Sequence, residues 1–220
     1  VEYNPEEAKS MLDEVGVVDK DGDGYREKPN GEDLQLRIDT DAEAADSYMQ
    51  TNELVKENWE AVGIETIINT IDGSELTTMV HNANTDIRNS WEIGDGPNHL
   101  LFPQWMVPIH QDRWAPLFGN YFRIQGTDIE GTGSDKDQRD RAPAWKKPPE
   151  GGAVDQLQQL YKKAKVAPTV EERNELVYEM IKVHINNGPF VIGTAGNYPR
   201  VGIAKDYMKN VPHKKDLAKG

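Results

Sequence analysis

An acidic loop near the start of the chain has residue types and a spacing suited to a metal ion. Its residues with ligand oxygens are Asp19, Asp21, Asp23, the main-chain carbonyl of Tyr25, and Glu27. Alternating aspartates followed by glycine match the first part of a calcium loop, in which hard oxygens surround the ion. The twelfth position holds Asn30, where such loops carry a bidentate glutamate. We therefore keep two interpretations: a structural calcium site and a solvated Asp-Gly turn.

A tryptophan and an aspartate near residue 90 are suited to binding a small molecule. Trp91 ends the third predicted strand, and Asp95 lies in the loop that follows. Ligands of open α/β sheets bind outside the carboxyl ends of the strands. An indole supplies a flat apolar contact there, and a carboxylate can fix an amine or sugar hydroxyls. The alternative is that Trp91 packs in the core and Asp95 caps a turn.

Aromatic side chains are concentrated in the segment that follows. They are Trp105, Trp114, Phe118, Tyr121 and Phe122. Rings in an irregular segment can line a pocket and stack on sugar rings or peptide side chains. They can equally anchor the segment to the domain, and anchoring is the default interpretation for any single ring. We expect at least one of them to contact ligand, with Trp105 and Trp114 as the candidates.

A catalytic site has little support among the polar residues. His99, His110 and Asp112, together with Asp95, contain the ligands of a metallohydrolase, but their spacing fits no helical ligand pair. The sequence has no Gly-x-Ser-x-Gly elbow and no phosphate-binding glycine loop. A calcium-dependent interaction module would need a second calcium loop, which the sequence lacks. We therefore expect a protein without enzymatic activity.

Alternating helices and strands must position these residues. The pattern predicts, in order, a helix over residues 4–16, a strand over 34–38, a helix over 41–62, a strand over 64–71, a helix over 74–82 and a strand over 86–91. This order gives a parallel sheet with right-handed crossovers and helices on its faces, so the fold class is α/β. Isoleucines on both faces of the second strand place it in the centre of the sheet.

The second half of the chain starts irregularly and ends in a helix pair. Apolar residues over 92–152 follow neither helical nor strand spacing, which predicts a long irregular excursion. The apolar positions of the first later helix are Leu157, Leu160, Tyr161 and Ala164. A capping box of Thr169 and Glu172 begins the second helix. Its inward residues are predicted to be Leu176, Val177, Met180, Ile181 and Ile185. Residues 190–193 predict a final strand.

Composition restricts the partners of the chain. Thirty-eight acidic residues against 25 basic ones give a formal net charge of −13, which repels phosphate backbones and anionic membranes. Nucleic acid is therefore excluded as an expected partner. The absence of cysteine excludes disulfides and thiolate metal sites.

The order of these segments resembles a known family. It comprises the helix at residues 3–16 followed by an Asp-Gly-rich loop, the strand at 34–38, the helix end at 60–65, Trp91 with its Asp-Gly-Pro loop, and the end of the helix pair at 189–193. This order resembles the large oligopeptide-type (family 5) solute-binding proteins of ABC importers. Family members commonly carry an Asp-Pro pair after the tryptophan, whereas here Asp95 and Pro97 are separated by a glycine.

The resemblance implies a fold, a role and a location. Residues 1–220 would be the C-terminal lobe of a periplasmic-binding-protein type II-like fold, with residues from about 189 returning toward an N-terminal lobe. The implied function is non-catalytic capture of a solute for an ABC permease, by a monomer in the periplasm or anchored at the cell surface. Peptide is the first candidate ligand and oligosaccharide the second, and Trp91 and Asp95 are the site residues that carry over.

Overall fold

The predicted alternation of helices and strands is present in the first part of the chain. The computed structural model describes residues 3–89, 100 and 102–193. The chain divides into two compact units, Val1–Ser90 and Trp91–Gly220, within the region predicted as one lobe. No helix among these described residues is both long enough and apolar enough to cross a membrane.

The first helix, α1 (Pro5–Glu14), begins at the predicted cap. The side chain of Asn4 accepts a hydrogen bond of 3.1 Å from the main-chain N–H of Glu7, which satisfies one of the free donors of the first turn. None of the residues of α1 is buried. The apolar residues Met11 and Val15 are 60% and 65% exposed.

A parallel sheet of three strands forms the centre of the first unit. Its elements are β1 (Gln35–Asp41), a short 3-10 helix (Ala42–Ala44), α2 (Ala45–Glu60), β2 (Glu65–Ile71), α3 (Gly73–His81) and β3 (Ile87–Arg88). The strand order is β2-β1-β3, and both pairings are parallel. The prediction that residues 64–71 form the central strand is therefore wrong. That position belongs to β1, where Ile38 to Thr40 are fully buried, whereas Ile67 on β2 is 39% exposed.

The segment predicted to be irregular contains a helix. After a 3-10 helix (Pro103–Trp105), residues Pro116–Ile124 form α4, so the prediction of an irregular excursion over 92–152 is wrong there. Pro116 is favourable in a first helical turn, and Leu117, Tyr121 and Ile124 are buried at helical spacing. Gly119 within α4 permits close packing, because a Cβ there would lie 2.2 Å from the carbonyl oxygen of His110.

Two packed helices, α5 (Ala153–Ala164) and α6 (Val170–Asn187), form the core of the second unit. The Thr169 side chain caps α6 by accepting a hydrogen bond of 3.1 Å from the Glu172 N–H. The buried apolar residues of the helix pair are Leu157, Ala164, Val177, Met180 and Val183. Ile185 was predicted to face inward, but it is 73% exposed. At 3.6 residues per turn it lies about 140° around the helix from Met180.

Residues 190–193 form no strand, which corrects the prediction of a final strand there. Phe190 instead packs against the helix-pair core. Its ring stacks on that of Trp114, with centroids 4.9 Å apart and an interplanar angle of 8°. The apolar run therefore provides a ring for the core of the second unit.

Candidate functional site

A buried hydrogen-bond network joins α2 to the carboxyl ends of β1 and β3. The Asn52 amide nitrogen donates to the Thr40 hydroxyl oxygen at 2.8 Å and to the Asn89 side-chain oxygen at 3.0 Å. The Asn89 amide donates back to Asn52 at 2.8 Å, and the Thr40 hydroxyl donates to Asn89 at 2.8 Å. Thr40 and Asn52 are almost completely buried. The network therefore fixes the end of β3 against the body of the first unit.

Two predicted ligand residues come directly after this network in the sequence. Trp91 and Asp95 lie outside the described residues, so their assignment to the site stays a prediction. Asn89 is the last residue described before them. The role of Asn52 was not predicted from the sequence, although a lone amide on the apolar face of a helix was an available signal.

The opposite face of the sheet carries an ion pair whose carboxylate is buried. One carboxylate oxygen of Asp39 accepts hydrogen bonds from Arg37 Nε at 2.8 Å and from the Asn69 amide at 2.9 Å. The hydrogen bond that Arg37 donates to Asp39 raises the pKa of the Arg37 guanidinium. The second Asp39 oxygen is buried and has no hydrogen-bond partner among the described residues. Because Asp39 is fully buried, this pair is suited to holding strands together and not to contacting solute.

The acidic loop brings its predicted side-chain ligands together. Carboxylate oxygens of Asp19, Asp21, Asp23 and Glu27 lie within 4.8 Å of one another. The three aspartates are exposed, whereas Glu27 is only 7% exposed. Among the residues that the structure describes, this is the one group of three or more acidic or histidine side chains arranged to hold a metal ion.

Main-chain donors shape this loop. The two Asp19 oxygens accept hydrogen bonds from the N–H groups of Gly22 and Gly24, at 2.7 and 3.0 Å. Asp23 accepts one of 2.7 Å from Tyr25, whose carbonyl is the other predicted ligand. Each carboxylate in these contacts keeps further lone pairs that can bind a metal ion. The donor set is all oxygen, which suits calcium.

The two tryptophans of the aromatic segment have different surroundings. Trp105 lies under the Arg113 guanidinium, whose central carbon is 4.2 Å from the ring centroid. Trp114 stacks on Phe190 and meets the His184 ring edge-on at 5.7 Å. Its indole N–H donates to the Trp105 carbonyl at 3.1 Å. Trp114 thus anchors the segment to the helix core, while Trp105 lies half-buried at its margin. Arg113 was not among the residues predicted from the sequence.

Within the described ranges, two residues of the metallohydrolase alternative are in close contact, but they form no metal cluster. His110 Nδ1 and Asp112 Oδ2 are 2.6 Å apart. The other two members, His99 and Asp95, lie outside those ranges. Neither His110 nor Asp112 belongs to a described group able to hold a metal. The geometry adds no support for catalysis.

A family model matches the first unit and the residues that follow it. Residues 1–108 match the model of a family described as bacterial extracellular solute-binding proteins, family 5 Middle. This part of the chain is similar to family 5. The match covers the acidic loop, the whole sheet and the residues that follow β3, and it confirms the predicted resemblance. No curated protein sequence matches the chain.

Solved solute-binding proteins share the family 5 fold with this chain. The oligopeptide-binding protein OppA is 23% identical with a TM-score of 0.63, over 84% of this chain and 28% of OppA. MelB of Agrobacterium fabrum, in complex with stachyose, is 18% identical with a TM-score of 0.57, over 84% and 24%. AppA of Bacillus subtilis, in complex with a nonapeptide, is 20% identical with a TM-score of 0.52, over 83% and 30%. The chain therefore spans less than a third of each of these proteins. The α/β periplasmic-binding-protein fold is confirmed.

Proposed function

We propose that this chain is part of a non-catalytic protein that captures a solute outside the cytoplasm and delivers it to an ABC permease. The observation that carries the proposal is the family 5 match over residues 1–108, which ends beyond the carboxyl edge of the sheet. At that edge the network of Thr40, Asn52 and Asn89 fixes the end of β3, which the predicted ligand residues follow in the sequence. Capture works by closure around the solute, and the permease recognises the closed form.

A peptide is the proposed ligand, with an oligosaccharide as the alternative. Peptide binding is supported by OppA and by AppA, whose structure holds a nonapeptide. The saccharide alternative is supported by MelB, whose structure holds stachyose, and by the half-buried ring of Trp105. We propose that Trp91, Asp95 and Trp105 contact ligand. Trp114 contributes by holding the main chain of Trp105.

Charge and chemistry define the remaining partners. A net charge of −13 disfavours nucleic acid. We propose a monomer, because capture by closure of two lobes needs no second copy of the chain. Solute capture requires binding and no reaction, so no catalytic residue is assigned.

Calcium is proposed as a structural ion of the acidic loop. The convergence of Asp19, Asp21, Asp23 and Glu27 within 4.8 Å supports it. An ion there would neutralise carboxylates that otherwise repel one another. The carbonyl of Tyr25 would complete the protein ligands.

The test of function is calorimetric titration of the full-length protein with peptide and oligosaccharide libraries. Trp91→Ala should weaken binding, since a stacked aromatic contributes about 0.5–1.5 kcal/mol beyond its burial. Asp95→Asn should weaken peptide binding more than sugar binding, because a charged hydrogen bond to an amine is lost. Asp128→Asn, at an exposed position of the second unit, controls for the change in charge.

The competing outcomes are distinct. Wild-type affinity in both variants, with normal melting, would place the site elsewhere. A full-length protein that binds neither library, and carries no co-purifying small molecule in mass spectrometry, would refute solute capture itself.

A further inference from the structure

Side chains of the second unit hold the main chain at Trp105 and at the residue after it. The indole N–H of Trp114 donates to the carbonyl oxygen of Trp105 at 3.1 Å. Nε2 of His184, on α6, lies 2.7 Å from the carbonyl oxygen of Met106. A carbonyl oxygen can only accept, so Nε2 is the nitrogen that carries the proton in this contact. Two consecutive carbonyls are therefore fixed from two different parts of the second unit.

A third hydrogen bond holds the same segment from α5. Gln158 is 1% exposed, and its amide donates to the carbonyl oxygen of Pro108 at 2.8 Å and to that of Phe118 at 3.2 Å. Residues 106–108 are buried and belong to no helix or strand. A buried carbonyl without a donor is costly, and regular structure supplies none to this segment. Side chains from α5 and α6 supply the donors instead.

This arrangement fixes the main chain while the ring of Trp105 stays partly exposed. Trp105 is half-buried, although the three residues after it are buried. Trp145 shows the contrasting case of a tryptophan that belongs to the core. It is 6% exposed, and its indole N–H donates to the carbonyl oxygen of Thr132 at 3.1 Å. The main chain that carries Trp105 is thus as firmly held as a core segment, but its ring remains at the surface.

We propose that His184 and Gln158 are positioning residues for solute binding, which act by holding Trp105 where the solute stacks on its ring. The inference rests on the proposed function, in which Trp105 contacts ligand. Ordering a loop on binding lowers affinity, because the cost of immobilising it is subtracted from the interaction energy. The side-chain bonds to residues 105–108 meet that cost during folding. The ring is therefore in place before the solute arrives.

The test uses His184 because its hydrogen bond can be removed without its ring. His184→Phe keeps an aromatic ring against Trp114 and Phe190, whose centroids lie 5.7 and 5.4 Å from that of His184, and removes the N–H donor. His184→Gln keeps an N–H donor and loses the ring. Gln158→Leu removes the donor to Pro108 with little change in side-chain volume.

The full-length protein is titrated with the peptide and oligosaccharide libraries and with any small molecule that co-purifies with the wild type. His184→Phe and Gln158→Leu should each weaken binding by about threefold to tenfold, the factor by which one hydrogen bond shifts the population of the fixed segment. His184→Gln should bind like the wild type. In the Trp105→Ala background, His184→Phe should have no further effect on affinity, because it acts through that ring.

Ile124→Ala is the control for a general loss of stability. Ile124 is buried in a separate apolar cluster with Tyr121 and Trp145, so the substitution should lower the Tm and leave affinity unchanged. The proposal is overturned if His184→Phe weakens binding equally in the Trp105→Ala background. It is also overturned if Ile124→Ala weakens binding as much as His184→Phe does, or if both donor variants bind like the wild type.

Failure of the proposed function gives a different result. Wild-type affinity in Trp105→Ala overturns the positioning role and leaves solute capture intact. A wild type that binds neither library and carries no co-purifying small molecule overturns the positioning role together with solute capture.

Discussion

Replacing Asn52 by alanine tests whether the carboxyl edge of the sheet is held by its amide network. Asn52 projects from α2, and its buried side chain contacts both Thr40 and Asn89. The substitution removes three hydrogen bonds, of 2.8, 3.0 and 2.8 Å. It leaves the bond from Thr40 to Asn89 at 2.8 Å.

The magnitude follows from these contacts. Each intramolecular hydrogen bond contributes about 1 kcal/mol net, and a buried donor without a partner costs about 1–3 kcal/mol. Asn89 is half-buried, so water can satisfy part of its freed amide. Alanine returns about 0.5 kcal/mol through its higher helix propensity. We expect Asn52→Ala to reduce the free energy of unfolding of the first unit by about 2 kcal/mol.

The matched control lies on the same helix. Asn58 is exposed, and its side chain contacts only the carbonyl of Leu54, at 2.6 Å. Asn58→Ala has the same gain in helix propensity. The difference between the two variants in the free energy of unfolding therefore measures the contribution of the network. Amide hydrogen exchange, measured at increasing urea concentration, gives the free energy of unfolding of each unit separately. Equal stability of the two variants would refute the reasoning.

Three further predictions concern other parts of the chain. Calcium should stabilise the protein by about 2.7 kcal/mol at a hundredfold excess over its Kd, and the double change Asp21→Asn, Asp23→Asn should abolish the shift in Tm. Trypsin should cleave slowly after Arg113, inside residues 103–123, and Arg141→Ala should accelerate tryptic cleavage after Lys136, whose carbonyl Arg141 holds at 3.1 Å. Leu157→Ala, at a fully buried position, should cost about 2–5 kcal/mol in urea unfolding.

Each of these predictions has a matched comparison. Asp128→Asn should leave the calcium shift unchanged, and equal melting curves in chelator and in calcium contradict the site. Arg139→Ala removes an exposed arginine of the same segment and should not change cleavage after Lys136. Leu54→Ala, at a position 60% exposed, should cost little. A similar loss in the free energy of unfolding for Leu54→Ala and Leu157→Ala would contradict the assignment of the core.

The sequence was sufficient for the elements of the first unit because their signals are local. Asn4 caps α1, and alternation of polar and apolar residues identifies β1. The order of strands in a sheet depends on contacts between segments that are distant in the sequence. Isoleucines on both faces suggested a central strand at residues 64–71, yet β1 is central. Its middle combines Ile38 with Asp39, and a buried carboxylate is acceptable there only because Arg37 and Asn69 satisfy one of its oxygens.

The second unit shows how packing overrides a weak pattern. Glycine and asparagine inside α4 obscure its periodicity, and the reason for Gly119 is visible only once the His110 carbonyl lies against it. Ile185 follows an apolar run in the sequence, but the rotation of α6 exposes it. Such errors arise because the face a helix buries depends on a neighbour that is distant in sequence.

The site poses the same problem more sharply. Trp105 with Arg113, and Arg141 with Trp145, are equivalent pairs by residue type and lie in one aromatic, polar segment. Nothing in their composition predicts which of the two arginines the fold supplies with acceptors. Main-chain carbonyls accept hydrogen bonds from every nitrogen of Arg141, whereas Nε of Arg113 has no acceptor among the described residues. This difference depends on which main-chain carbonyls the fold brings to each guanidinium, so the residue types of the segment cannot predict it.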